Sequence, residues 1–183
     1  MVKKLLIVLS VIVFVSCSKG TANDDSCNGE NTRREMKLCL DALSDSIHLT
    51  PTEISVKEIG ELDVPEVNSD DGRQEIEFNT YTITAKVHKL SYHRDGDWKV
   101  KLTDGEDHFV NCENPNPYCT LAQTSPFYDN FVTVRNWINE NQDDLEGKTV
   151  TITGVGFIDI DHKYPRNAAL NEMELHPILD IHF

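Results

Sequence analysis

The sequence predicts a mainly β protein: a five-stranded barrel with one helix inserted between its third and fourth strands and a short helical extension ahead of the first. Three observations carry that prediction. From Ile76 onward apolar residues recur at every second position, and glycine-containing turns interrupt the run at Asp95-Gly96-Asp97 and Asp104-Gly105. Between Phe127 and Ile138 the spacing changes to three and four, then returns to two. Period two marks strands with one buried face, and a three-four spacing marks a helix with one apolar stripe.

Taken in chain order, Asn31 to Ser46 places Met36, Cys39, Leu40 and Leu43 at helical spacing and predicts a short amphipathic helix. Thr52 to Gly60 predicts a further helical turn ending at the glycine. The stretch VPEVNSDDGR, Val64 to Arg73, is the clearest linker. In the first long strand Phe78, Thr80, Thr82 and Thr84 share one face, and Tyr81, Ile83, Ala85 and Val87 the other. Trp98 to Leu102 and His108 to Val110 complete a three-stranded meander.

Ser125 is placed to cap the helix and Pro126 fits its first turn, after which Phe127, Phe131, Val134 and Ile138 form the apolar stripe. Lys148 to Gly154, continuing through Ile160, reads as the fourth strand, and Gly154 and Gly156 allow it to bend as barrel closure requires. Glu174 to Phe183 is the last. On it Leu175, Pro177, Leu179 and Ile181 are expected to face the core, and Glu174, His176, Ile178 and Asp180 to face outward. Three strands, a helix and two strands is the order of an OB-fold, with a β-sandwich as the alternative.

The N-terminus is of a different kind. Lys3 and Lys4 precede an apolar run from Leu5 to Val15, too short for the about 20 residues that span a bilayer, so residues 1–16 read as a signal segment. Phe14-Val15-Ser16-Cys17 resembles the lipobox of bacterial lipoproteins, although Phe14 stands where leucine is usual. That resemblance implies cleavage before Cys17 and its acylation by chains such as palmitate. Ser18, rather than aspartate, follows the cysteine, which by the same resemblance points to the outer membrane of a Gram-negative bacterium. The expected organisation is therefore 1–16 signal segment, 17–30 lipidated Cys17 and polar tether, 31–73 helical extension and linker, and 74–183 barrel.

With Cys17 acylated, Cys27, Cys39, Cys112 and Cys119 remain, an even number suited to two disulfides in an oxidising compartment. Three pairings are open, of which Cys27 with Cys39 and Cys112 with Cys119 is the most local. Loss of the two signal-segment lysines leaves 15 basic residues against 31 acidic ones, a net charge of −16. Such a charge repels phosphate backbones and disfavours nucleic acid as a partner.

The domain also resembles a widespread family of small bacterial secreted proteins and lipoproteins of unassigned function. The matching residues are Glu77 and Tyr81; Asp95, Asp97 and Trp98; Glu113, Pro115, Asn116, Pro117 and Cys119. The terminal block Gly154-Val155-Gly156-Phe157-Ile158-Asp159, His162, Asn171 and Glu174-Leu175-His176-Pro177 completes the likeness. It departs from the family pattern at Asn116, where aspartate is usual, at Lys99, where histidine is common, and in the loop after His162. What the resemblance implies is a barrel fold and no established reaction.

Candidate chemistry centres on Glu174 and His176, which the loop from His162 to Asn171 is placed to cover. His162, Glu174 and His176 form a possible His/Glu/His group for a divalent metal with an open position, and Asn171 a further ligand-binding candidate. The same residues also suit a hydrogen-bond network that pins the loop. No nucleophile elbow, H-E-x-x-H or phosphate loop is present, so no catalytic residue is assigned. The acidic turns at Asp95, Asp104 and Asp143 lack EF-hand spacing and read as solvated hairpin tips. Trp98 and Tyr81, if outward, would offer a stacking platform. The expected role is a non-catalytic binding or accessory module, held to the membrane by its lipid, for an envelope protein or a saccharide. The alternative is a metal-assisted hydrolase. No cofactor is firmly implied, and a divalent metal is the one the residues allow.

Overall fold

Alternating residues of a 14-residue strand organise the molecule. In the computed structural model, which describes Cys27, residues 33–160 and residues 167–183, strand β2 (Asn79–Tyr92) buries Tyr81, Ile83 and Val87 on one face, as its period of two predicts. Its first half pairs antiparallel with β5 (Thr149–Ile158) and its second half with β3 (Trp98–Thr103). A strand shared in this way must coil, and a bulge between Val87 and Lys89 helps it do so.

β4 (Phe109–Asn114) continues the meander and then pairs in parallel with β6 (Met173–His182), which returns to β5. The β2–β5 pairing closes the circuit β2-β3-β4-β6-β5, a five-stranded OB-like barrel. Val100, Leu102, Val110, Cys112, Ile152 and Leu175 fill its interior, each essentially inaccessible to solvent. Helix α3 (Tyr128–Asn141) plugs one end with Val134 and Ile138. Ser125 does not cap it. The Ser125 hydroxyl accepts from the Phe127 amide and donates to the Leu38 carbonyl at 2.7 Å, so it fastens the helix approach to the N-terminal segment.

The extension differs from its sequence reading. Within Asn31–Ser46 the described residues form only one helical turn, α1 (Arg34–Lys37), then an irregular path and a 3-10 turn at Ser44–Ser46. Thr52 and Glu53 belong to a sixth strand, β1 (His48–Glu53), which pairs in parallel with β2 at the sheet edge. Every residue of β1 is exposed, so it carries no alternating pattern that sequence could reveal. The predicted turn before Gly60 is α2 (Val56–Gly60), closed by a capping box between Ser55 and Glu58. Val56 and Ile59 enter the barrel core, so the extension and the barrel share both sheet and core.

The cysteine pairing is also corrected. Cys27 bridges to Cys119, 92 residues away, while Cys39 and Cys112 are buried and unbridged. Cys112 points into the barrel interior and Cys39 packs with Ile47 and Val155 on the outer wall, so the two behave as small apolar residues. Burial pushes the Cys39 thiol up to about 12. No helix among the described residues is long and apolar enough to cross a membrane. Residues 1–26, which include the signal segment and Cys17, and His162 lie outside the described residues.

Candidate functional site

The outer wall of β4, β5 and β6 carries the side chains that sequence singled out, and it is not open to solvent. Alternation sends Val110 and Cys112 inward from β4 and Asn111 and Glu113 outward, and likewise Met173 and Leu175 inward from β6 and Glu174 and His176 outward. The N-terminal segment lies over this wall. Glu174 and His176 lie on the outward face, as expected, and are each only 1% exposed, with the N-terminal segment contributing cover that the sequence reading assigns to the loop after His162. The alternation also breaks further along β6. Register shifts flank the pairing of Gly154 with Ile178, so Ile178 enters the core while Leu179 joins the outer-wall cluster of Cys39, Ile47 and Val155. A Cβ at Gly154 would lie 2.8 Å from the Pro177 carbonyl, and one at Gly156 2.9 Å from the Tyr81 ring, so both glycines permit close backbone approach.

His176 meets partners other than those expected. Its Nε2 lies 3.7 Å from Asp97 Oδ2 and its Nδ1 3.4 Å from Glu113 Oε2. One ligand atom from each of Asp97, Glu113 and His176 falls within 4.8 Å of the others, and all three residues are buried. Neither ring nitrogen has a hydrogen-bond partner among the described residues. Glu174 belongs to the neighbouring pair: its Oε1 accepts from Asn111 Nδ2 at 2.7 Å, across the β4–β6 register.

Asp97 enters from the β2–β3 turn rather than from a solvated tip. Its Oδ1 accepts from the Asn116 amide at 2.8 Å and its Oδ2 pairs with Arg34 at 3.3 Å. The turn is clasped from below by Arg135 of α3, whose NH2 donates to the Gly96 carbonyl at 2.7 Å. Lys99 Nζ, on the strand beside Glu113, approaches Glu113 Oε1 at 2.6 Å.

Electrostatics follow from burial. Burial, reinforced by Asp95 and Glu113 against the pull of Arg34, raises Asp97 to about 7. Burial first, then Glu113 and Asp159, raises Glu174 to about 7. Burial drives His176 well below the ordinary imidazole value, helped by the positive charges of Lys37, Arg34 and Lys99, so at neutral pH its ring is uncharged. Lys99 is held above its usual value because Glu174 and Glu113 outweigh its desolvation. Lys37, which lies over the Phe157 ring, is raised by Glu113, Glu174, Asp159 and Asp97 in the same way.

The other candidates lie elsewhere. Asn171 donates to the carbonyls of Ile59 and Leu62, both at 2.9 Å, and pins the loop before β6 to α2 rather than joining His176. Tyr81 is a core residue and not an outward platform. Trp98 is half-buried, its indole N–H donating to Asn139 of α3 at 3.1 Å and its ring set edge-on to Tyr92. Among the solvated tips, Asp97 and Gly96 prove buried, whereas Asp104 and Asp143 are exposed as expected.

Sequence reasoning named Glu174 and His176 but left Asp97, Glu113 and Lys99 as motif residues without a role. Arg33-Arg34 with Lys37, a basic cluster in a strongly acidic chain, was the available signal for the N-terminal contribution. A separate open cleft of about 540 Å³ lies between residues 62–68 and the ends of β5 and β6. Leu62, Val64, Val67, Ile160 and Leu170 give it apolar surface, and Asp63, Glu66, Asp159 and Glu172 line it with carboxyl groups.

No protein-family model and no curated protein sequence matches the chain. Among solved structures it is similar to asparaginyl-tRNA synthetase of Entamoeba histolytica (12% identity, TM-score 0.42, covering 74% of this chain and 24% of that one). It is also similar to a putative aspartyl-tRNA synthetase of Leishmania major Friedlin (16% identity, TM-score 0.42, covering 74% and 21%). The chain thus spans less than a quarter of the length of those proteins. The barrel itself rests on the strand pairing described above.

Proposed function

We propose that this protein is a lipid-anchored, non-catalytic binding module of the bacterial envelope, belonging with the small secreted and lipoprotein domains that its sequence resembles. The Cys17 lipobox and the polar tether support attachment to the outer membrane. The observation that carries the binding role is accessibility. Asp97, Glu113, Glu174 and His176, the polar groups gathered on the outer wall, are each at most 4% exposed and so are closed to a substrate bond. The surface that is open is the cleft beside Leu170, whose side chain is 88% exposed. Apolar surface beside the exposed carboxyl groups of Asp63 and Glu66, on a chain of strong negative charge, suits a cationic, partly apolar protein segment better than a neutral saccharide.

A hydrolase built on His162, Glu174 and His176 would require the N-terminal segment to leave the wall, and Arg33, Arg34 and Lys37 hold it there through buried contacts. Chemical-shift mapping of the isotope-labelled protein tests the proposal. Peptides that combine lysine or arginine with leucine or phenylalanine are expected to shift the amides of residues 62–68 and 170–172, with affinity that falls as salt rises. Leu170→Ala and Glu66→Gln should weaken that binding. Shifts confined to Tyr92 and Trp98, or ester or phosphodiester hydrolysis lost in His176→Gln, would overturn it.

A further inference from the structure

We infer that Asp97, Glu113 and His176 hold a divalent first-row metal ion of the zinc or manganese kind between the barrel wall and the N-terminal segment. One donor atom from each of the three residues lies within 4.8 Å of the others, close enough to gather around a single ring nitrogen of His176. Glu113 Oε2 lies 3.4 Å from Nδ1 and Asp97 Oδ2 3.7 Å from Nε2, neither contact is a hydrogen bond, and both enclosed nitrogens have no hydrogen-bond partner among the described residues. Metal–ligand bonds of about 2.0–2.2 Å place neighbouring donor atoms roughly 3.0–3.6 Å apart. The three donors here, all within 4.8 Å of one another, must close by about 1–2 Å at most to reach that arrangement.

The donor chemistry sets the class of ion. One imidazole and two carboxylates, with no thiolate, suit zinc, manganese or ferrous iron and not a soft ion. The imidazole is in its neutral form, as ligation needs. Orienting contacts are present too: the Asn116 amide holds Asp97 Oδ1 and Lys99 holds Glu113 Oε1, which turns Oδ2 and Oε2 toward His176, Oδ2 being shared with Arg34. Asp97, Glu113 and Glu174 stand among Lys37, Lys99 and Arg34, so an ion here draws on carboxylates that these bases otherwise share. Bound there, the ion ties the β2–β3 turn, β4 and β6 together. It is independent of what occupies the cleft.

The test uses the full chain, purified without chelator. Plasma mass spectrometry is expected to find one equivalent of zinc or manganese. After chelation, calorimetric titration with Zn²⁺ or Mn²⁺ should restore a single site. Asp97→Asn and Glu113→Gln should each weaken it on the order of 100-fold, whereas the exposed-loop control Asp143→Asn with Asp144→Asn should not. Because either ligand variant may destabilise the fold, Co²⁺ loaded into the unmutated protein gives a second readout: pulsed paramagnetic resonance should show coupling to one imidazole. A folded protein that takes up no ion at millimolar Zn²⁺ or Mn²⁺, Co²⁺ without imidazole coupling, or affinity unchanged in folded Glu113→Gln would overturn the inference.

Discussion

The Arg33–Glu77 pair is a buried tie between the extension and the barrel, and its removal can be predicted in energy terms. The Arg33 guanidinium donates to Glu77 Oε1 at 2.8 Å and Oε2 at 2.7 Å, and also to the carbonyls of Ile158, Gly72 and Asp71. Both side chains are fully buried. Glu77 in turn accepts from the amides of Ile158 and Gln74, at 2.8 and 2.7 Å. These bonds hold Arg33 at φ 54°, a left-handed backbone that an arginine adopts at a cost of about 1 kcal/mol or more. Glu77→Leu strips the guanidinium of its counter-charge and leaves two amides without acceptors. Breaking one side of a buried pair costs about 3–5 kcal/mol, and the stranded amides place this variant toward the upper end. Arg33→Met with Glu77→Leu leaves no uncompensated charge, so it should cost less than the sum of the single changes, with a coupling of about 2–3 kcal/mol. Urea unfolding followed by far-ultraviolet circular dichroism, with the slope unchanged, measures all three. A Glu77→Leu loss below about 1 kcal/mol, or strict additivity, would refute a buried, mutually dependent pair.

Two further outcomes are expected. Cys27→Ser with Cys119→Ser opens a covalent loop whose ends are 92 residues apart, and the stability lost on urea unfolding should be about 2–4 kcal/mol; no loss would mean that the bridge constrains nothing in the unfolded chain. Glu174→Gln keeps an acceptor for Asn111 and removes a titration. Below pH 4.5 both folded and unfolded chains carry the Glu174 proton and its contribution is complete; between 4.5 and about 7 only the folded chain retains it, so stability falls with rising pH and then levels. The stability of Glu174→Gln relative to the unmutated protein should therefore rise across that window by at most about 1.4 kcal/mol per pH unit, and a flat or opposite trend would contradict a buried acid.

The barrel was legible because its strands each bury one face, so period two appeared in β2, β3, β5 and the first half of β6, and the single helix stood out between them. What was not legible lacked that cause. β1 buries neither face and so has no pattern. The face assignment in β6 failed after Pro177 because register shifts, which depend on the partner strand, moved Ile178 to the core. Local pairing of the cysteines failed because Cys27 reaches Cys119 only once the extension has folded back onto the barrel. For the site, alternation correctly put Glu174 and His176 on the outer wall, but it says nothing of what covers a wall. Asp97 was read as a solvated tip because turn composition predicts the turn and not its neighbour, Arg34.

That cover changes the meaning of the acidic composition. An OB-like barrel usually leaves part of its wall available to a ligand, but here Arg33, Arg34 and Lys37 occupy the region around Glu77, Asp97 and Glu113. Three of the chain's basic residues are thus committed to buried carboxyl groups rather than to solvent. The buried carboxyl groups need those bases, because charges taken from water must be paired or protonated. A barrel cut from its extension at residue 73 would expose Glu77, Asp97, Glu113 and Glu174 together with the apolar side chains of Val155 and Phe157. The extension therefore completes the fold, and residues 33–73 belong to the same cooperative unit as the strands they cover.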